Sequence, residues 1–332
     1  MTSARRFDGR TLAGFAVSII AIAGCAWWAS KQERPRLPSD AVGYAVLLGS
    51  LAVYAFLTIV RGWRWDHILA FLDVRHARAD AYALVTVGYM GNTVLPARGG
   101  ELLRVFLLAE RSHAKRREVL GSIITERLLD ALVLLLLLVF VAWTGIADTP
   151  GGSITSILAA AVLVLVVGGA YGYLRLRQAG RFEHFADRIR PISRASRQLL
   201  SARGLVLLAV TIAIWWGEAV VFSLCARSLD LDVTVLDGLV VTVISALSAL
   251  IPAGPGYVGT YDAAALFALH QVGISGGDAV SCVLLFRFVA FVPITIVGLI
   301  VMVTRYGGLR GALRRERDAE RADQDGSSPE RS

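Results

Sequence analysis

Apolar runs alternate with short arginine-rich connections from residue 12 to residue 304. Six runs are continuous, at roughly 12–30, 41–60, 119–145, 154–174, 204–227 and 278–304. A helix that crosses a bilayer takes about 20 mostly apolar residues, so each run predicts one span. Two further runs, 82–110 and 235–272, are broken near their middles by proline and glycine. The first break, "VGYMGNTVLPARGGELLRVFLL" over residues 87–108, puts Asn-Thr, Leu-Pro, two arginines and a glutamate where a span should continue. The pattern predicts an all-α polytopic membrane protein with six clear transmembrane helices and two broken helical hairpins, about eight membrane segments in all.

Charge placement sets the orientation, because cytoplasmic connections carry the arginines. Residues 175–203 hold eight arginines and are expected on the cytoplasmic side, as is the tail from 305 with Arg305, Arg310, Arg314, Arg315 and Arg317. Arg61, Arg64, Arg75 and Arg78 put the connection 61–80 inside, and residues 146–153, with only Asp148, lie outside. The connection 31–40 must then be outside although it holds Lys31, Arg34 and Arg36. By parity, segment 82–110 has cytoplasm at both ends and segment 235–272 has the exterior at both ends. Each enters and leaves on one face, from opposite sides. Their turns are alike, "LPARGGE" at 95–101 and "IPAGPGY" at 251–257, and each is followed by an apolar helix with a lone arginine, Arg127 or Arg287. This is the pattern of an inverted repeat, and paired broken segments point to a transport site.

Composition supports the membrane reading, with 55% hydrophobic residues and a mean hydropathy of +0.60. The net charge of +8 follows the topology rather than forming a nucleic-acid patch, so no nucleic-acid partner is expected. Cys25, Cys225 and Cys282 lie singly in apolar runs, which predicts neither disulfide nor metal site. No cofactor is expected. The expected divisions are a cytoplasmic N-terminus at 1–11, a transmembrane domain at 12–304 and a disordered cytoplasmic tail at 305–332. Within the domain, 175–203 reads as a basic amphipathic loop on the cytoplasmic leaflet.

The candidate chemistry gathers at the breaks. Pro96 ends a helix, Gly100 allows close approach of a neighbouring backbone, and Asn92, the only asparagine in the chain, can satisfy freed backbone groups. Arg98, Glu101 and Arg104 recur every three residues along one helix face. They read either as a phosphate cradle, since the guanidinium fork matches phosphate oxygens, or as an ion-pair ladder. Glu126, Arg127 and Asp130 open the span at 119–145, where buried charges must face the bundle interior and pair. They serve either a functional site or a bridge to Arg98 or Arg104. Glu218 is a lone carboxylate in a span, read as the partner of Arg287 or, if unpaired, as a proton carrier. Pro252, Gly254, Pro255, Gly256 and Gly259 shape the second turn, with Tyr257, Tyr261 and Asp262 after it. The tryptophans at 27, 28, 63 and 65 read as an aromatic belt at span ends.

Taken in order, "GYMGNTVLPARGGELLR", "ERLLD", "IPAGPGYVGTYDA" and "LLFR" resemble the bacterial lysylphosphatidylglycerol synthase transmembrane-region family, also called the flippase-like domain family. The likeness covers roughly 12–304. Where that family commonly reads Pro-Gly-Gly-Leu-Gly-x-Phe-Glu, this chain has Pro255 to Asp262, with Tyr257 in place of a glycine. The resemblance implies a helical membrane domain with two re-entrant segments that binds or moves lipids. Two-domain relatives carry a C-terminal soluble domain that makes aminoacylated phosphatidylglycerol. This chain ends soon after its last span, so aminoacyl transfer is not expected.

These observations lead to an expected function: a non-enzymatic lipid translocase of the bacterial inner membrane, with both termini cytoplasmic. Its cargo would be an anionic phospholipid or a polyprenyl-phosphate-linked lipid. Arg98, Arg104, Arg127 and Arg287 would hold phosphate, and Glu101, Glu126, Asp130, Glu218 and Asp262 would balance or gate them. Two alternatives stay open, a non-transporting scaffold for a glycosyltransferase or other lipid-modifying enzyme, and an intramembrane lipid-modifying enzyme. Against the latter, the sequence has no H-E-x-x-H, G-x-S-x-G or P-loop motif.

Overall fold

The structure, a computed structural model, describes residues 36–95, 98–143, 201–249 and 255–307. Eight α-helices form among them: α1 (Ala41–Phe71), α2 (Arg78–Val94), α3 (Gly99–Ser112), α4 (Arg116–Trp143), α5 (Ala202–Arg227), α6 (Val235–Ser248), α7 (Thr260–Gln271) and α8 (Gly276–Tyr306). A single 3-10 turn, Pro255–Tyr257, precedes α7, and no strand occurs among the described residues. Local chemistry explains the boundaries. Asp40 caps α1 through Gly43 N at 2.7 Å, and Thr234 with Asp237 forms a reciprocal capping box on α6. Leu95 turns to extended backbone at φ −98°, ψ 145°, as the residue before a proline must. Gly307 ends α8 in the left-handed region.

The α2–α3 and α6–α7 pairs are helical hairpins whose bases lie at opposite ends of α8. Asp80, in the first turn of α2, pairs with Arg305 at the C-terminus of α8 at 2.9 Å and with Arg111 at the end of α3 at 3.2 Å. The other base adjoins the N-terminus of α8, since α7 leads into it through residues 272–275. The tips meet. Arg98, in the first turn, donates from Nη2 to the Ala249 carbonyl at the end of α6, at 2.7 Å, and sits over the Tyr257 ring at 5.6 Å. At 17, 14, 14 and 12 residues, the hairpin helices are about 26, 21, 21 and 18 Å long. All fall short of the roughly 30 Å hydrocarbon core.

Two apolar cores form around the two hairpin bases. Trp65, Ile68, Leu84, Leu108, Val119 and Met302 build one, and Phe222, Cys225, Leu239, Leu269, Cys282 and Phe286 belong to the other. Along α1, Arg61 and Arg64 fall between Leu57 of one core and Trp65 of the other. Along α4, Glu126 and Asp130 fall between Ile123 and Val133. A charged band is thus held between two greasy ends. Outward, Leu128, Leu132, Leu136 and Phe140 on α4 and Leu284, Phe288, Val292, Ile296 and Ile300 on α8 are exposed at four-residue spacing. Stripes of that size suit a lipid-facing surface.

Three of the described helices, α1, α5 and α8, are long and apolar enough to cross a membrane. α4 has the length, with 28 residues, but carries Glu126, Arg127 and Asp130 in its interior. The expected spans 12–30 and 154–174 lie outside the described residues, as do the loop 175–200, the tail from 308, Pro96, Pro252 and Gly254. One boundary is corrected outright. The helix expected at 41–60 runs on to Phe71, so Arg61 and Arg64 are not loop charges. They are buried, at 3% and 1% exposure. Trp65, expected in an interfacial belt, is fully buried as well. The helical period continues through Leu57, Arg61, Arg64, Trp65 and Ile68, and carboxylates on other helices neutralise the charge.

Candidate functional site

Helical spacing brings the charged groups together. Glu126 and Asp130 are four residues apart and project from one face of α4. Arg61 and Arg64, three apart on α1, face α5 and α4. Arg64 donates to Asp130 at 2.7 Å, to Glu126 at 2.9 Å and to Thr211 Oγ1 on α5 at 3.1 Å. Arg104 on α3 reaches the other oxygen of Glu126 at 2.7 Å and lies 4.0 Å from the Trp65 ring centroid. Arg127 contacts Glu126 at 3.2 Å, Asp130 at 3.4 Å and Glu101 at 3.5 Å. Glu101 in turn faces Arg98 at 3.6 Å. The result is one alternating chain: Arg104, Glu126, Arg64, Asp130, Arg127, Glu101, Arg98. Beside it, Arg61 pairs with Glu218 of α5 and is flanked by the rings of Tyr54 and Tyr89, at 5.4 and 5.5 Å.

These groups border a cavity of about 430 Å³ where the hairpin tips meet. Five arginines line it: Arg61, Arg64, Arg98, Arg104 and Arg127. The carboxylates paired with them are Glu101, Glu126, Asp130 and Glu218, which leaves one positive charge in excess. The pairs also leave donors unused: Arg61 Nη1, Arg64 Nε and Arg104 Nε are buried without a hydrogen-bond partner. A desolvated guanidinium with a free N–H is costly unless something accepts from it. The arrangement can therefore accept an anion, through guanidinium forks that match phosphate oxygens.

The hairpin glycines make the close approach possible. A Cβ on Gly100 would strike the Gly88 carbonyl and the Asn92 amide nitrogen, so α2 and α3 touch backbone to backbone there. Asn92 lines the cavity, with its Oδ1 buried and unbonded. In the second turn Gly256 and Gly259 take φ of 64° and 92°, which favours glycine. Tyr257 takes φ of 55°, at the position where the resembling sequences carry glycine.

Of the four arginines expected to hold phosphate, the structure brings Arg98, Arg104 and Arg127 to one cavity. Arg287 is not among its lining residues. It pairs with Asp262 and donates to the carbonyls of Gly256 and Tyr257 at 3.2 and 3.4 Å, which fastens the second turn. Glu218 is thus not its partner. Asp262, bound to the Gly259 amide at 2.9 Å, is held at the start of α7 where Arg287 reaches it, while Glu218 faces Arg61. Arg98 stands just outside α3 with φ of 56°, so the three-residue ladder begins one residue before the helix. The bridge between Glu126 and Arg104, one of the two readings left open for this helix, is present. Arg61, Arg64 and Tyr89 are the site residues that sequence reasoning missed. The usable signal was the unbroken helical spacing through "RGWRWDHIL".

The turn chemistry and the sequence match lead to one assignment. A family model for the lysylphosphatidylglycerol synthase TM region matches residues 12–298. The chain belongs to that family. Among curated proteins it is similar to glycosyltransferase AglD of Haloferax volcanii, with 25% identity over 301 residues, covering 76% of this chain and 47% of AglD. It is also similar to UPF0104 membrane protein MJ1078 of Methanocaldococcus jannaschii, with 23% identity over 216 residues, covering 63% of this chain and 92% of that protein. The chain therefore spans about half the length of AglD. Family membership and the apolar helices make this a multi-pass membrane protein.

Proposed function

We propose that the protein is a lipid translocase that takes the anionic headgroup of a phospholipid or polyprenyl-phosphate-linked lipid into the central cavity and passes it between leaflets. On this reading α2–α3 and α6–α7 re-enter the membrane from facing leaflets of the bacterial inner membrane, with both chain termini cytoplasmic. The observation that carries it is the net-positive cavity with unused guanidinium donors, placed where two short hairpins from opposite ends touch. A headgroup crossing hydrocarbon needs such a polar station, and broken helices supply it. The Arg98–Ala249 link between the tips would be the contact that breaks when the cavity opens to one side.

The test is scrambling of fluorescent phosphatidylglycerol in proteoliposomes, read by dithionite quenching of outer-leaflet label. Movement of the anionic probe between leaflets, lost when Arg98 and Arg127 are both changed to alanine, is expected. Transport that persists in the double variant contradicts the proposal. The similarity to a protein named as a glycosyltransferase favours a second reading, a membrane module that retains a lipid for a glycosyltransferase. That reading expects a lipid to copurify while the proteoliposomes show no transport.

A further inference from the structure

α8 changes allegiance part-way along. Its N-terminal half belongs with the second hairpin. Cys282, Phe286, Val289 and Ala290 sit in that core, and Arg287 holds Asp262 and two turn carbonyls. Its C-terminal half belongs with the first hairpin. Met302 and Tyr306 sit in the other core, a Cβ on Gly298 would strike the Thr86 carbonyl and Met90, and Arg305 pairs with Asp80 at 2.9 Å. Between the halves stands Pro293, the one proline inside a described α-helix. It has no N–H for the Val289 carbonyl, and its ring crowds that turn. Helices bend sharply at such a break. Beside it, Thr295 Oγ1 is buried without a partner, whereas Thr304 in the same helix donates to the Ile300 carbonyl at 2.7 Å. A free hydroxyl next to a proline can take up a carbonyl that bending releases.

The other helices that run between the two cores are braced instead. α1, α4 and α5 contribute to both and contain no proline. Arg64 ties all three together through Glu126, Asp130 and Thr211, at 2.9, 2.7 and 3.1 Å. The break in α8 also lies in the cavity wall, since Ala290, Phe291 and Ile294 line it. We propose that Pro293 is the hinge of the molecule. α8 bends there, the half that carries the first hairpin moves against the half that carries the second, and the tips part at the Arg98–Ala249 contact. This rests on the reading that the tips part, and not on what the cavity carries.

The experiment reads opening without an anionic lipid. Ala246, in the cavity lining, is changed to cysteine in the full chain, held in nanodiscs of phosphatidylcholine. Its rate of labelling by a small charged maleimide is measured over the background of the chain without that cysteine. Adding Pro293→Ala should slow labelling about tenfold, because bending must now break a complete helical turn. It should not lower the melting temperature, since alanine returns the missing donor. Pro293→Gly, which keeps the backbone soft, should label within about twofold of the parent. Labelling unchanged by alanine, or slowed as much by glycine as by alanine, overturns the hinge and leaves the headgroup reading standing. A parent cavity that the reagent never reaches overturns both. Absence of lipid scrambling alongside labelling that depends on Pro293 overturns the headgroup reading alone and upholds the hinge.

Discussion

The α2–α3 turn sends Arg98 and Glu101 into a chain of ion pairs that continues through α4, α1 and α3, whereas the α6–α7 turn closes on itself through Arg287, Asp262 and two of its own carbonyls. In sequence the two turns look alike, each a Pro-Ala break with glycines close behind and a lone arginine in the helix that follows. In space Arg127 shares three carboxylates at a cavity wall, and Arg287 is consumed in holding one turn. Equal motifs therefore carry unequal work. One hairpin delivers charge to the cavity, and the other presents it with Ala249, Thr242 and the Tyr257 and Tyr261 rings.

Removing the shared carboxylate should expose the contrast most strongly. Glu126, 1% exposed, is contacted by Arg64, Arg104 and Arg127. Glu126→Gln should cost about 3–5 kcal/mol, the usual penalty for stranding buried charge, and thermal unfolding in detergent would show it. A melting temperature equal to wild type would mean that the ion chain is not integral to the fold. Asp262→Asn should cost less, because Arg287 keeps its two carbonyl acceptors.

Gly100→Ala should destabilise by about 1–3 kcal/mol, as overpacking does, since the new methyl meets backbone on two sides. Gly256→Ala meets its neighbours only at ordinary van der Waals distance, 3.6 Å or more, but must hold a positive φ, at a cost of about 1–2 kcal/mol. The first variant should impair the arginine cavity and the second only the turn. Comparing their lipid binding with their unfolding separates the two hairpins. Equal losses of binding per unit of stability would erase the distinction.

Much of the hairpin architecture was legible because proline and glycine mark turns through local sterics, whatever the rest of the chain does. The cluster of Arg104, Glu126, Arg127 and Asp130 was legible too, since charge inside an apolar run must find a partner. Arg61 and Arg64 were not. Counting arginines as markers of cytoplasmic loops overrides the helical spacing through "RGWRWDHIL" that would keep them in the helix, and their partners Glu218, Glu126 and Asp130 lie far off in sequence. The pairing of Arg287 was likewise out of reach, because it depends on Asp262 being fixed by the backbone of Gly259.

Arg61 offers a finer test. Arg61→Gln strands Glu218 and should lower stability, while adding Glu218→Gln should restore most of it, since replacing both partners is far cheaper than removing one. Binding of an anionic lipid should stay reduced, by about tenfold, in the double variant. Full recovery of both properties would make the pair structural only. The smallest effect expected is from Tyr257→Gly, where relief of about 1 kcal/mol of left-handed strain is offset by losing the contact with Arg98, worth about 0.5–1 kcal/mol. A near-zero shift in melting temperature is the expected reading.

The most direct measurement is a cryo-electron microscopy structure of the protein in nanodiscs containing phosphatidylglycerol. Phosphate density inside the cavity, within about 3 Å of guanidinium nitrogens of Arg61, Arg104 or Arg127, is the expected result. A cavity filled only by acyl chain or water, with lipid phosphates confined to the outer rim of the helices, would contradict a headgroup-binding site.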